Sequence, residues 1–243
     1  MDLKEAEIPG IDLDTHWYYT SKWQAIKQFL PKKQGAGCLW DIGGGSGYFS
    51  KRALLSEHAE HATSIDIGYD APEDEILPNG AKLDFRTERP EGTADIILFM
   101  DVLEHVDDDV ALLKQYGDHL SKDGIIVITV PAFQFLWSAH DVFLEHKRRY
   151  TKAMLWETIH KAGYEPVKTR FFFGSLFPLI AIIRVFQRLL MRSKKMAPES
   201  SLKQHSRPIN TLLTIIHSIE RAVMMPWNSL YGLSIICTVR RKT

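Results

Sequence analysis

Apolar segments alternate with helical patterns from residue 16 to about 163, a rhythm that predicts a parallel sheet with crossover helices. Residues 37–42 read as a first strand, 46–57 as a helix and 62–67 as a second strand with Asp66 near its end. Residues 81–85 form a weaker third strand and 94–100 a fourth. Residues 124–130 form a fifth, apolar enough to be covered on both faces. Between the fourth and fifth, Asp107, Asp108 and Asp109 precede a helix with Leu112, Leu113, Tyr116 and Leu120 on one face. Acids there suit the positive end of the helix. Thr151 caps a further helix whose stripe is Leu155, Ile159 and Ala162, and Gly163 stops it. Residues 167–173 and 233–239 are two more strands, so the expected architecture is a doubly wound α/β sheet of seven strands.

Roughly sixty residues separate the last two strands, far beyond an ordinary loop, and they contain two helical patterns. One starts near Ser175 and sets Arg184, Arg188 and Arg192 on one face of an apolar segment; the other follows Pro208 with Ile209, Leu212, Leu213 and Ile216 on a stripe. The uncharged run 171–183 is thirteen residues, short of the ~20 needed to span a bilayer. Within this insertion, residues 174–230, the apolar segment with its arginine stripe and Lys194 and Lys195 behind it reads as a helix lying in an anionic membrane surface, or else as a buried lid or dimer helix. At the other end, His16, Trp17, Tyr18, Tyr19, Trp23, Ile26 and Phe29 predict an aromatic helix over 15–30.

With 243 residues and 45% hydrophobic content, the chain suits one α/β domain over 1–243 with an elaboration. Net charge is zero, which supplies no global field for nucleic acid and sets the expectation of no nucleic-acid partner. The charge is unevenly spread: the first fourteen residues are acidic and 184–207 strongly basic. Cys38 and Cys237 fall in strand-like runs with neither zinc spacing nor a disulfide framework, so no metal is expected and a reducing, cytoplasmic setting is. No basic region followed by an apolar run opens the chain. Peripheral attachment to the inner face of the membrane follows from the insertion, and the oligomeric state is left open.

The densest chemical signal is Leu39-Trp40-Asp41-Ile42-Gly43-Gly44-Gly45-Ser46-Gly47, a strand end and an acid running into a glycine-rich turn and a helix. Such glycines permit positive φ and close approach of a ligand, and the amides opening the helix bind an anionic group. A dinucleotide fingerprint wants a third glycine where Tyr48 stands. Glycines at 43, 45 and 47 with Asp41 ahead instead resemble the first motif of class I S-adenosylmethionine-dependent methyltransferases. A cofactor with a cationic sulfonium and no phosphate tolerates the nearby carboxylate. Asp66, about twenty residues on, can accept from both ribose hydroxyls, with Ile67 packed on the adenine.

A second stretch, Ala94 through Val106 with its Leu-Glu-His run, resembles the fourth-strand motif of the same family. The resemblance implies that Asp101 and Val102 line the methionine side of the cofactor. His105 reads as a structural histidine or a proton-transfer residue. Beyond the fifth strand, Trp137 borders an acceptor pocket and His140, followed by Asp141, is the base candidate by type. Three cations then precede a helix N-terminus, where Arg148, Arg149 and Tyr150 could meet an anionic substrate. Residues 137–150 also resemble a bacterial subgroup of these enzymes with an apolar C-terminal extension, and in relatives the N-terminal helix caps the cofactor.

The expectation is therefore methyl transfer from S-adenosylmethionine to a hydroxyl or carboxyl of a small, amphiphilic or lipid-linked acceptor. Two rivals stand: a nicotinamide-dependent oxidoreductase, and a non-enzymatic membrane-associated adaptor on a degenerate core.

Overall fold

A computed structural model of the chain describes residues 12–31, 37–190, 199–200 and 202–242. Helix α1 (Trp17–Ile26) is followed by β1 (Cys38–Ile42), α2 (Tyr48–Leu55), β2 (His61–Ile65), β3 (Glu73–Ile76) and β4 (Lys82–Arg86). Then come β5 (Ala94–Met100), α3 (Asp109–Gly117), β6 (Leu120–Pro131), α4 (Ala139–Phe143), α5 (Lys152–Lys161) and β7 (Tyr164–Phe172). Helices α6 (Phe177–Leu190) and α7 (Arg207–Val223) precede the last strand, β8 (Ser234–Arg241).

The strands form one sheet in the order β3-β4-β2-β1-β5-β6-β8-β7. Pairing is parallel from β4 to β6, while β8 runs antiparallel between β6 and β7. The order reverses between β1 and β5, the place where an open α/β sheet opens a crevice beyond its strand ends. Residues along β5 alternate between the faces: Ile96, Leu98 and Met100 join a core with Tyr19, Trp23 and Phe49, whereas Ile97 and Phe99 join one with Leu113, Leu155 and Ile159. Covering both faces explains the unbroken apolar runs of β5 and β6.

Among the described residues the sheet has eight strands, not seven. The extra one, β3, reads Glu-Asp-Glu-Ile, so it lacks the apolar alternation that marks a half-buried strand. It pairs antiparallel to β4 at the edge, where Asp74 meets Arg86 and Lys82, and charged edges of this kind resist pairing with another chain. Leu120, expected on the apolar face of a helix, instead opens β6. Asp108 caps α3 through Ala111, and the helix ends at Gly117.

The two insertion helices pack beside the carboxyl ends of the strands. Glu220 on α7, buried, accepts from the amides of Gly174 (2.6 Å) and Ser175 (3.2 Å) and from His217 Nδ1 (3.0 Å), tying α7 to the end of β7. Helix α1 is clipped to α7 in turn: Trp17 N donates to Asn210 Oδ1 at 2.8 Å, Asn210 Nδ2 donates to Thr15 O, and Trp17 stacks on His217. Apolar residues such as Ile182, Phe186, Leu212, Ile219 and Trp227 stay exposed on these helices. Among the described residues no helix is long and apolar enough to cross a membrane. Arg192, Lys194 and Lys195, and the side chain of Arg188, lie outside the described residues.

Removing the Glu220 carboxylate leaves the amides of 174 and 175 without their acceptor, at about 1–3 kcal/mol for each unsatisfied group. Glu220→Ala is expected to speed hydrogen exchange across 174–187 and in α7 while the amides of β1 and β5 keep their protection. Uniform acceleration throughout the sheet would contradict this local role.

Candidate active site

Strand β1 delivers a loop in which Gly43, Gly45 and Gly47 all have positive φ (62°, 56° and 71°). Two of these positions are also crowded. A Cβ on Gly43 would lie 2.9 Å from Val102 Cγ2, and one on Gly47 2.7 Å from the Phe85 ring, so a side chain is excluded twice over. Asp41 is wholly buried beneath the loop and accepts from Ser50 Oγ at 2.8 Å. Just beyond β2, the Asp66 carboxylate accepts from Gly45 N (3.0 Å) and Gly68 N (2.9 Å). Each of its oxygens keeps a second acceptor direction. Ile67, beside it, is 95% exposed, an apolar surface left open among the described residues. Tyr48 turns into the core against Tyr19 and Phe49, which closes the route by which a pyrophosphate would seat at a third glycine. The cradle therefore fits a nucleoside with an adjacent amino-acid end.

The next strand end holds an ion pair that the sequence reading did not single out. Lys22 of α1 is fully buried, and its ammonium pairs with Asp101 immediately after β5. Asp101 also accepts from Thr129 Oγ1 at 2.8 Å and has a φ of 54°. Burial alone would push the lysine down and the aspartate up, but their mutual attraction and hydrogen bonds more than offset it, so Lys22 is raised and Asp101 lowered. A signal was available: Lys22 lies on the stripe of Tyr19, Trp23 and Ile26, where a lysine without a partner would be costly. Val102 packs toward Gly43 while Asp101 lines the neighbouring cavity, so the two sit at the junction of cradle and cavity.

That cavity, of about 280 Å³, opens at the carboxyl edge of the sheet. Its wall includes Asp101, Pro131 and Phe173 at the ends of β5, β6 and β7, with Leu233 and Ser234 from the start of β8. Asp101 and Phe173, each just past a strand end and lining this cavity, both have positive φ, backbone strain gathered around one space. The insertion supplies Ile180, Arg184, Lys203 and His205, and α1 supplies Trp17. Arg184 therefore faces the cavity rather than a membrane surface.

Of the residues expected to meet an acceptor, His140 and Arg149 line this space, and Trp137, Asp141, Arg148 and Tyr150 do not. Asp141 is wholly buried as the acidic member of a capping box with Ser138. The Arg149 fork grips it (Nε 2.7 Å, Nη2 3.0 Å), and its histidine partner is His146 (2.9 Å), not its neighbour His140. Burial works against its charge, yet His146 and Arg149 hold the carboxyl far below the usual range. Arg148 is spent on the carbonyls of Val106 and Asp107, and the Tyr150 hydroxyl on Asp109 (2.7 Å) and Leu103 O. These residues brace the wall. Trp137 is half-buried outside the cavity, and His105 lies behind it with its ring against that of His146. Burial lowers His140 to about 4, so it is neutral near pH 7.

Two outcomes follow. Lys22→Met strands the buried Asp101 charge and should cost about 3–5 kcal/mol in urea unfolding, with much of the loss recovered by adding Asp101→Asn. Equal loss in the double variant would contradict the pairing. Separately, the unfolded chain protonates His140 near its ordinary 6.5 while the folded chain resists to about 4, so stability falls as pH drops through that interval and is flat above it. The melting temperature is expected to decline between about pH 6.5 and 4 less steeply in His140→Gln than in the parent; identical slopes would refute it.

Comparison with known proteins agrees with this geometry. A family described as a methyltransferase domain matches residues 15–169. A tRNA U34 carboxymethyltransferase of Alteromonas mediterranea is 30% identical over half of the chain, which spans 40% of that protein. Among solved structures, a putative methyltransferase from Bacillus halodurans matches with a TM-score of 0.55 at 12% identity, over 92% of this chain and all of the other. An S-adenosylmethionine-dependent methyltransferase from Archaeoglobus fulgidus matches at 0.54 and 17%, over 90% and 93%. These two likenesses show the fold. The relative named for a tRNA overturns the expectation of no nucleic-acid partner, which had rested on net charge. Zero net charge leaves room for local concentrations of basic residues, and the sequence of residues 184–207 holds one. From the match over residues 15–169 and the cradle and sheet just described, the chain belongs to the methyltransferase-domain family.

Proposed function

We propose that the protein transfers a methyl group from S-adenosylmethionine to an oxygen, hydroxyl or carboxyl, of an anionic amphiphilic acceptor held in the cavity. The observation that carries this reading is the shared wall: Val102 closes the cradle at Gly43 while the adjacent Asp101 lines the cavity. When bound, S-adenosylmethionine supplies an electrophilic methyl group. The protein's part is alignment and exclusion of water, which provide most of the rate in such a transfer. Asp66 has acceptor capacity for ribose hydroxyls and Ile67 a free face for a base. Arg184, Lys203 and His205 favour an anionic acceptor, and the exposed apolar faces of α6 and α7 near the cavity suit an amphiphilic one. His140, neutral near pH 7, is a weak base; a carboxylate acceptor needs none.

A second reading, an RNA acceptor, is favoured by the relative named as a tRNA carboxymethyltransferase. Mass spectrometry of cells with and without the protein separates the two. The first reading expects a one-methylene difference in small-molecule or lipid extracts, and a difference confined to digested RNA would replace it with the second.

Calorimetry with S-adenosylmethionine tests the cradle itself. Asp66→Ala is expected to weaken binding about tenfold, the equivalent of about 1.4 kcal/mol for lost charge-assisted hydrogen bonds. Gly45→Val, placing a branched side chain at positive φ, is expected to abolish it. Unchanged affinity in both would contradict the proposal.

A further inference from the structure

Residues 104, 105 and 146 have no metal-like spacing in sequence, yet the fold brings one ligand atom of each to within 4.8 Å of the others. Glu104 stands in the turn Leu103–His105 just beyond β5. It is wholly buried, and among the described residues neither carboxylate oxygen has a hydrogen-bond partner, an expensive condition for a polar group. His146 faces it, with Nε2 4.0 Å from Glu104 Oε1 and likewise without a hydrogen bond. The other side of the His146 ring fixes its tautomer. Asp141, gripped by Arg149 and Ser138, is an acceptor, so Nδ1 donates to it at 2.9 Å and the lone pair of a neutral imidazole falls on Nε2. Two lone-pair atoms therefore point across a small gap. The nearby Lys22 cation is committed to Asp101. The His105 ring meets that of His146 edge-on at 4.7 Å, bringing a third donor nitrogen to the same place.

We propose that Glu104, His105 and His146 bind one divalent transition-metal ion at the floor of the cavity. Two imidazoles and a carboxylate are the ligand set of zinc and iron sites that keep positions open. Donors bound at about 2.1 Å in a tetrahedral shell lie about 3.4 Å apart. The 4.0 Å pair needs to close by about half an ångström and the widest pair, within 4.8 Å, by about 1.4 Å at most. Asp141 on His146 Nδ1 is the outer carboxylate that orients a metal-bound imidazole. Because Glu104 and His146 both line the cavity, the open positions face the acceptor, and an oxygen of that acceptor completes the shell. This last role rests on the oxygen-acceptor reading above; binding of the ion does not.

The test uses untagged, full-length protein, stripped with chelator and titrated with Co²⁺ and Zn²⁺. One Co²⁺ per chain with visible ligand-field bands is expected, displaced by Zn²⁺. Glu104→Gln, which keeps shape and removes the charged ligand, should weaken binding about tenfold or more, as should His146→Asn. Glu104→Gln decides the matter if the His146 variant fails to fold. Absence of bands in the parent, or equal affinity in Glu104→Gln, overturns the proposal. Calorimetry with S-adenosylmethionine on the same samples keeps the two readings apart: lost cofactor binding with intact Co²⁺ bands refutes the methyl-transfer reading alone, and the reverse refutes the metal site alone.

Discussion

The buried pair between Lys22 and Asp101 joins the three parts on which the site depends. Lys22 belongs to the helix that precedes the sheet, Asp101 ends a central strand, and Thr129 on the neighbouring strand holds the same carboxylate. A lone charge there would cost several kcal/mol, so helix α1 cannot leave the sheet edge without exposing one. Pairing sets the position of Trp17 and Tyr18 over the cavity and fixes Val102 against the glycine loop. The turn to positive φ at Asp101 is the conformational cost of aiming both residues at once.

Asp141 plays the corresponding part on the far wall. One buried carboxylate caps α4, clamps Arg149 and orients His146, so a single side chain sets the lining of that side. Its ion pair faces inward, and this is why Arg149 reaches the cavity with its fork already engaged. The insertion completes the enclosure. Its helices are held at one end by Glu220 and at the other by the clip between Asn210 and helix α1, so Arg184 and Lys203 border the cavity by construction.

Much of this was legible in the chain. The β1 loop announces itself through four glycines with Asp41 ahead of them, and Thr151 and Gly163 bound α5 where expected. Strand β3 was hidden because its four residues carry three acids and no periodicity. Acceptor-facing roles for Asp141, Arg148 and Tyr150 were misplaced because residue type cannot reveal which charges neutralise one another inside the wall. The pairing of His146 with Asp141 and the approach of Glu104 depend on loops meeting across the sheet edge, and no local pattern encodes that. Arg184 sits on an apolar stripe that reads equally as a lipid-facing or a cavity-facing helix until tertiary packing decides.

The most direct measurement is a crystal structure of the protein with S-adenosylhomocysteine, the demethylated product of the cofactor. The account predicts the ribose hydroxyls within hydrogen-bond distance of Asp66, the adenine over Ile67, and the sulfur directed past Val102 and Asp101 into the cavity. A ligand bound elsewhere, or one in the glycine loop with its sulfur sealed from that cavity, would contradict it.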